Sequence, residues 1–177
     1  MSDSKPPAEP ADRVRGPDPT EHSRWRPLRL LLAAMDRDIA RLYEEHGLHE
    51  VRPRFVMPLI RLGRGGPMTI RQLAASLDVT HSAMSQTVST LRRDGLARTV
   101  PGADARTREV ALTAKALEIT PFLEAEWRAT ERAVAELEDE IPYALSRVVQ
   151  DIEAALDQRS FHDRIVAGLE RAGEAPA

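Results

Sequence analysis

The chain has 177 residues, with 25 Lys and Arg against 28 Asp and Glu and no cysteine. That length suits one domain with an appended element, and the missing cysteines exclude disulfides, thiolate metal sites and thiol redox sensing. No apolar run approaches the roughly 20 residues that a membrane helix needs. The polar, proline-rich N-terminus lacks the pattern of a secretory signal. A cytoplasmic protein with no membrane contact is therefore expected.

The net charge of −3 argues, taken alone, against a polyanionic partner. Its distribution reverses that impression. Residues 1–23 carry a net −2, residues 24–64 a net +4, residues 65–115 a net +3 and residues 116–177 a net −8. Binding to phosphates depends on local potential and not on the total.

Residues 1–23 hold five prolines and almost no large apolar side chain. Such a segment buries too little surface to offset its ordering entropy and reads as a disordered tail. From 24 to 46, Leu28, Leu31, Leu32, Met35, Ile39, Leu42 and Tyr43 recur at helical spacing, with Gly47 placed as a left-handed cap. A second helix is expected from about Pro53, a residue suited to a first turn, to Leu62. Pro58 should kink that helix or mark its true start, and the glycines at 63, 65 and 66 break the chain before Pro67. Residues 24–64 thus form an N-terminal helical region.

Met68-Thr69-Ile70 is short enough for a one-rung strand, with Thr69 as an alternative cap for a helix from Ile70 to Leu77. Leu73, Ala74 and Leu77 give that helix its buried face. Asp78 occupies a turn that calls for a left-handed residue. Thr80 is placed to cap a helix over about 81–94, which Gly95 ends. Residues 96–100 and 107–112 look like antiparallel strands around a Pro101-Gly102-Ala103-Asp104-Ala105 turn. Beyond Thr113 the chain reads as helical almost to its end, in three segments, with Pro142 starting the second. The predicted fold is mainly α (α+β): a winged helix-turn-helix over 65–115, flanked by helices at 24–64 and 116–177.

Advancing 100° per residue from residue 81 places Met84, Thr87, Val88 and Leu91 between about 240° and 340°. His81, Ser82, Ser85, Gln86, Ser89, Arg92 and Arg93 fall between about 0° and 140°. The first group packs and the second is free. Three serines and a glutamine, in place of the lysines and glutamates of an ordinary solvated face, suit a surface that reads a DNA major groove. Gln86 matches an adenine edge in bidentate fashion. The serines are short enough for close approach to bases or phosphates. His81 stands near Thr80 at the helix N-terminus, where exposed amides favour phosphate. Arg92 and Arg93 lie farther along, over backbone. Arg98, Arg106 and Arg108 belong to the hairpin. An arginine on a slender loop suits a narrow A·T-rich minor groove, and Asp104, two residues before Arg106, is placed to orient its guanidinium.

Leu73-Ala74-x-x-Leu77-x-Val79, the helix THSAMSQTVSTLRRDGL, the hairpin with Asp104-x-Arg106 and the step Leu112-Thr113-x-Lys115 together resemble the MarR family of winged-helix transcriptional regulators. The resemblance is specific over 68–115 and loose over the rest of 25–170. Asp78 departs from the family's frequent glycine. The resemblance implies a homodimer joined through its N- and C-terminal helices, and repression by occluding a promoter. It also implies release by a small, often aromatic, ligand held between the dimer helices and the winged module. Trp25, Tyr43, Arg54, Phe55 and Met57 are the candidates for that ligand site. A dimer also follows from the apolar surface of helices 24–46 and 116–170, which exceeds what one small winged domain covers. A two-fold would set two reading helices on an inverted-repeat operator.

His46 and His49 beside Glu45 and Glu50 have a spacing open to metal, but histidines at a helix end are more often polar caps, and no metal or other cofactor is expected. No Gly-rich phosphate loop, cysteine nucleophile or G-x-S-x-G elbow is present, so no catalytic residue is assigned and the chain does not read as an enzyme. The alternative to a DNA-binding regulator is a winged-helix module that binds protein. Salt dependence separates the two.

Overall fold

The computed structural model describes residues 18–102, 104 and 107–173. Two compact units divide the chain, residues 1–53 and 54–177.

The first unit is built on α1 (Arg26–Glu45). Its end follows from Gly47, which takes φ 72°, a left-handed conformation that costs glycine little. The His46 ring bonds back to the Leu42 carbonyl at 2.8 Å. Tyr43 and Val51 are buried, while Trp25 and Leu30 to Leu32 are exposed. The expected disordered tail falls mostly on residues 1–17, outside the described residues. Toward its end a 3₁₀ turn, Pro19–Glu21, is capped by Asp18, whose carboxylate accepts from the Thr20 amide at 2.8 Å.

The second unit contains α2 (Pro53–Gly65, from its second residue), α3 (Ile70–Ala75), α4 (His81–Arg93), β1 (Ala97–Pro101), β2 (Arg108–Leu112), α5 (Ala114–Glu140), α6 (Leu145–Gln158) and α7 (Phe161–Ala172). α2 begins at Pro53 and continues through Pro58. A proline six positions into a helix removes one amide donor, and burial of Phe55, Val56, Pro58, Leu59 and Leu62 holds the segment helical nonetheless. The two roles weighed for residues 68–70 are both filled. Met68 exchanges backbone hydrogen bonds with Val110, and Thr69 caps α3 in a reciprocal box with Gln72. α6 starts at Leu145, after Ala144, and not at Pro142.

The hairpin is antiparallel, with Ala97 opposite Leu112, Thr99 opposite Val110 and Pro101 opposite Arg108. α3 packs on α4, α4 on β1 and α5 on β2. The core of this unit includes Phe55, Val56, Leu59 and Leu62 from α2, Leu73 and Ala74 from α3, Met84, Val88 and Leu91 from α4, Leu96, the buried positions 110–112 of β2, and Ala116 and Leu123 from α5. Thr113 ties these pieces together. Its hydroxyl donates to the Gly95 carbonyl at 2.8 Å and accepts from the Ala116 amide at 3.3 Å, so one side chain joins the end of α4, the base of the hairpin and the start of α5. α6 and α7 bury no residue. Among the described residues no helix is long and apolar enough to cross a membrane.

Candidate nucleic-acid interface

The turn between α3 and α4 is set by backbone chemistry. Asp78 has φ 52°, the only positive φ at a non-glycine among the described residues. The Leu77 and Val79 amides both reach the Ala74 carbonyl, at 3.2 and 3.1 Å. Aspartate tolerates the left-handed region better than most side chains. Thr80 follows in extended conformation and its hydroxyl accepts from the Ala83 amide at 3.2 Å, so α4 starts at the residue after it. Gly95, at φ 73°, closes the helix.

α4 is two-faced in the way its periodicity predicts. Met84, Val88 and Leu91 are at most 2% exposed. His81, Ser82, Gln86, Ser89, Arg92 and Arg93 are exposed, and Ser85 and Thr87 are half-buried. The helix therefore lies on the core by one stripe and presents its serine-rich side to solvent. The Thr90 hydroxyl turns back to the Gln86 carbonyl at 3.1 Å, so that hydroxyl is satisfied within the helix. Arg93 pairs with Asp94 at 3.4 Å, an exposed pair that contributes little to stability.

Arg98 on β1 and Arg108 on β2 are exposed. In the turn, Thr107 donates to the Asp104 carbonyl at 2.8 Å, and Gly102 donates to the Thr107 carbonyl at 2.9 Å. Asp104 is exposed. Arg106 lies outside the described residues.

The candidate ligand residues have different environments. Trp25 is 53% exposed and belongs to the first unit. Tyr43 and Phe55 are core residues, at 1% and 0% exposed, and offer a ligand no free surface. Arg54 and Met57 border a cavity of about 210 Å³ completed by Pro58, Leu77, Val79, Ala83, Met84 and Thr87. Met57 also borders a cavity of about 160 Å³ with Ile60, Arg61, Leu77 and Trp127. Leu77, Val79 and Trp127 carry no mark of this in the sequence, because an apolar residue that lines a cavity looks, along the chain, like one that fills a core. Among the described residues no group of three or more His, Cys, Asp or Glu is disposed to hold a metal ion.

Behind the interface, α2 is fastened to α5. The Arg64 guanidinium donates to both oxygens of Glu124, each at 2.7 Å. That bond holds the Glu124 carboxyl below its ordinary range and raises Arg64. Arg128 approaches the same carboxylate at 3.7 Å.

A helix-turn-helix followed by a two-stranded hairpin, with a third rung from Met68, defines a winged-helix module. The MarR family model matches residues 59–107, which span α2's second half, α3, α4 and the hairpin turn. Over these residues the chain is similar to the MarR family, and its fold is that of a winged-helix protein. Solved structures share the fold. The transcriptional regulator SlyA aligns with a TM-score of 0.54 at 14% identity, over 80% of this chain and 96% of that one. MepR of S. aureus, in its complex with DNA, aligns at 0.57 and 14% identity, over 77% and 98%. A MarR protein from Peptoclostridium difficile aligns at 0.53 and 16%, over 88% and 97%. No curated protein matches the sequence.

Proposed function

We propose that this chain is a sequence-specific DNA-binding transcriptional regulator that acts as a homodimeric repressor and not as an enzyme. The observation that carries the reading is the outward face of α4. A helix whose apolar stripe is buried, and whose free side displays short hydroxyls and one glutamine, has the size and chemistry to enter a major groove. Gln86 reads a base edge. Ser82, Ser85 and Ser89 contact bases or phosphates, and Thr80 and His81 meet a phosphate at the helix N-terminus. Arg92, Arg93, Arg98 and Arg108 meet the backbone, and Arg106, oriented by Asp104, enters the minor groove. The capture of MepR on DNA with the same fold supports this use of the module.

The dimer reading rests on α6, α7 and the residues just before α6. Tyr143 is 79% exposed and Phe161 65%, and Val149, Ile165 and Leu169 are also open. A monomer rarely leaves so many large apolar side chains in water. A two-fold pairing through the regions 24–64 and 116–177 would cover them, and it sets two reading helices one DNA turn, ~34 Å, apart on an inverted repeat. A small aromatic effector fits the cavity beside Met57, in a cytoplasmic protein.

Selection of duplexes from a random DNA pool tests the function. An enriched inverted repeat, bound with an affinity that falls steeply as salt rises, is expected. Failure to enrich any sequence refutes it, and binding insensitive to salt favours a protein-binding module. Sedimentation at micromolar concentration should give a dimer, and a monomer refutes the pairing.

A further inference from the structure

Arg54 has a position that its neighbours in sequence do not suggest. It lies on the first turn of α2. Its guanidinium carbon sits 5.1 Å from the centre of the Phe55 ring, and that ring is wholly buried. Stacking on a fixed ring holds the cation by its face and leaves the N–H groups at its edge free to bond. Among the described residues no carboxylate pairs with it. A second, more polar cavity, of about 290 Å³, is bordered by Arg54, Ala83, Gln86, Thr87 and Thr90.

Those four residues of α4 lie between about 140° and 240° on the helical projection, the flank that adjoins the reading face at Gln86. A major groove is about 12 Å wide and a helix with its side chains about 10–12 Å. A helix that inserts there turns its tip to the bases and its flanks to the sugar–phosphate walls. Arg54 stands on such a flank, beside the glutamine assigned to a base.

We propose that Arg54 is a phosphate-contacting residue of the DNA interface, gripping the strand next to the base that Gln86 reads. The grip carries no sequence information itself. It fixes the depth and register at which Gln86 meets its base, the usual role of bonds to the DNA backbone. The proposal rests on the DNA-binding reading above.

The test uses the full chain and a duplex enriched from the random pool, with affinity measured from 50 to 300 mM salt. Arg54→Gln keeps the length and removes the charge, and Arg54→Lys keeps the charge. The slope of log K against log salt should become shallower by ~0.9 for each phosphate that is no longer neutralised, so ~1.8 for a two-fold dimer. Arg54→Lys should keep the parental slope. The weakening in Arg54→Gln should be the same on duplexes altered at single bases, whereas Gln86→Ala changes base preference and leaves the slope alone. If Arg54→Gln keeps the parental slope while Arg92→Ala flattens it, the phosphate role is overturned and the DNA-binding reading stands. A lowered melting temperature with an unchanged slope also overturns it, by showing that Arg54 only covers Phe55. A parent protein that enriches no duplex overturns both readings.

Discussion

Gly63 lies in α2 against Thr120 of α5. A Cβ built there would stand 2.8 Å from Thr120 Cγ2, with Thr120 Oγ1 at 3.5 Å and Leu112 Cδ1 at 3.6 Å. Thr120 cannot easily turn away. It is 7% exposed, and its hydroxyl donates to the Ala116 carbonyl at 2.7 Å, which pins the rotamer. Gly63→Ala should gain ~1 kcal/mol of helix propensity and lose ~1–3 kcal/mol to overpacking. The expected net is between no change and ~2 kcal/mol of destabilisation, where an unconstrained helical glycine would show a clear gain. Thr120→Ser removes the offending methyl and keeps the hydrogen bond, at ~0.8 kcal/mol for the lost burial. The double variant should then match the parent, because the recovered propensity offsets the lost methyl. The cycle should give a favourable coupling of ~1–3 kcal/mol between the two sites. Urea denaturation at one fixed protomer concentration measures all four proteins, since assembly shifts apparent stability. A Gly63→Ala protein ~1 kcal/mol more stable than the parent would refute the close approach of α2 to α5.

Other outcomes follow from the same geometry. Gln86→Ala should relax preference at one position of each half-site, by ~1–3 kcal/mol, read from binding to a panel of base-changed duplexes; an unaltered panel removes Gln86 from the reading face. Arg106→Ala should weaken binding and make its salt dependence shallower by ~0.9 per protomer, and a footprint like the parent's dismisses the wing's role. Glu124 has its carboxyl held low by the hydrogen bond from Arg64. Its contribution to stability is therefore present above the ordinary carboxylate range, with a reference value of 4.5. It is lost as pH falls through the lowered folded value. A comparison of the parent with Glu124→Gln by urea denaturation should show a gap at neutral pH that closes in acid. A gap that persists below the folded value argues that the side chain acts through packing.

Much of the interface was legible along the chain. The two faces of α4 follow from residue spacing inside one helix. Thr80, Gly95 and Asp78 act within a turn of where they stand: a hydroxyl satisfies an amide three residues on, and a left-handed backbone reverses the chain on the spot. Thr113 was recognisable as the step into α5, but its bond to Gly95, 18 residues back, was not. That Pro58 neither breaks nor starts α2 depends on burial on one side of the helix, which outweighs one missing amide donor.

Contacts between remote segments have no local signature. Nothing near Arg64 marks Glu124, 60 residues away, as its partner. Gly63 resembles a helix breaker until Thr120 stands against it. Tyr43 and Phe55 could serve equally as core or as pocket walls by their spacing, and folding buries each of them. Arg54 gains its meaning from the flank of α4 that folding brings alongside. Hydrogen-bonding caps and helical period operate over a few residues, so they can be read in one dimension. Which side chains share a cavity depends on how whole helices pack, and that is a property of the folded chain.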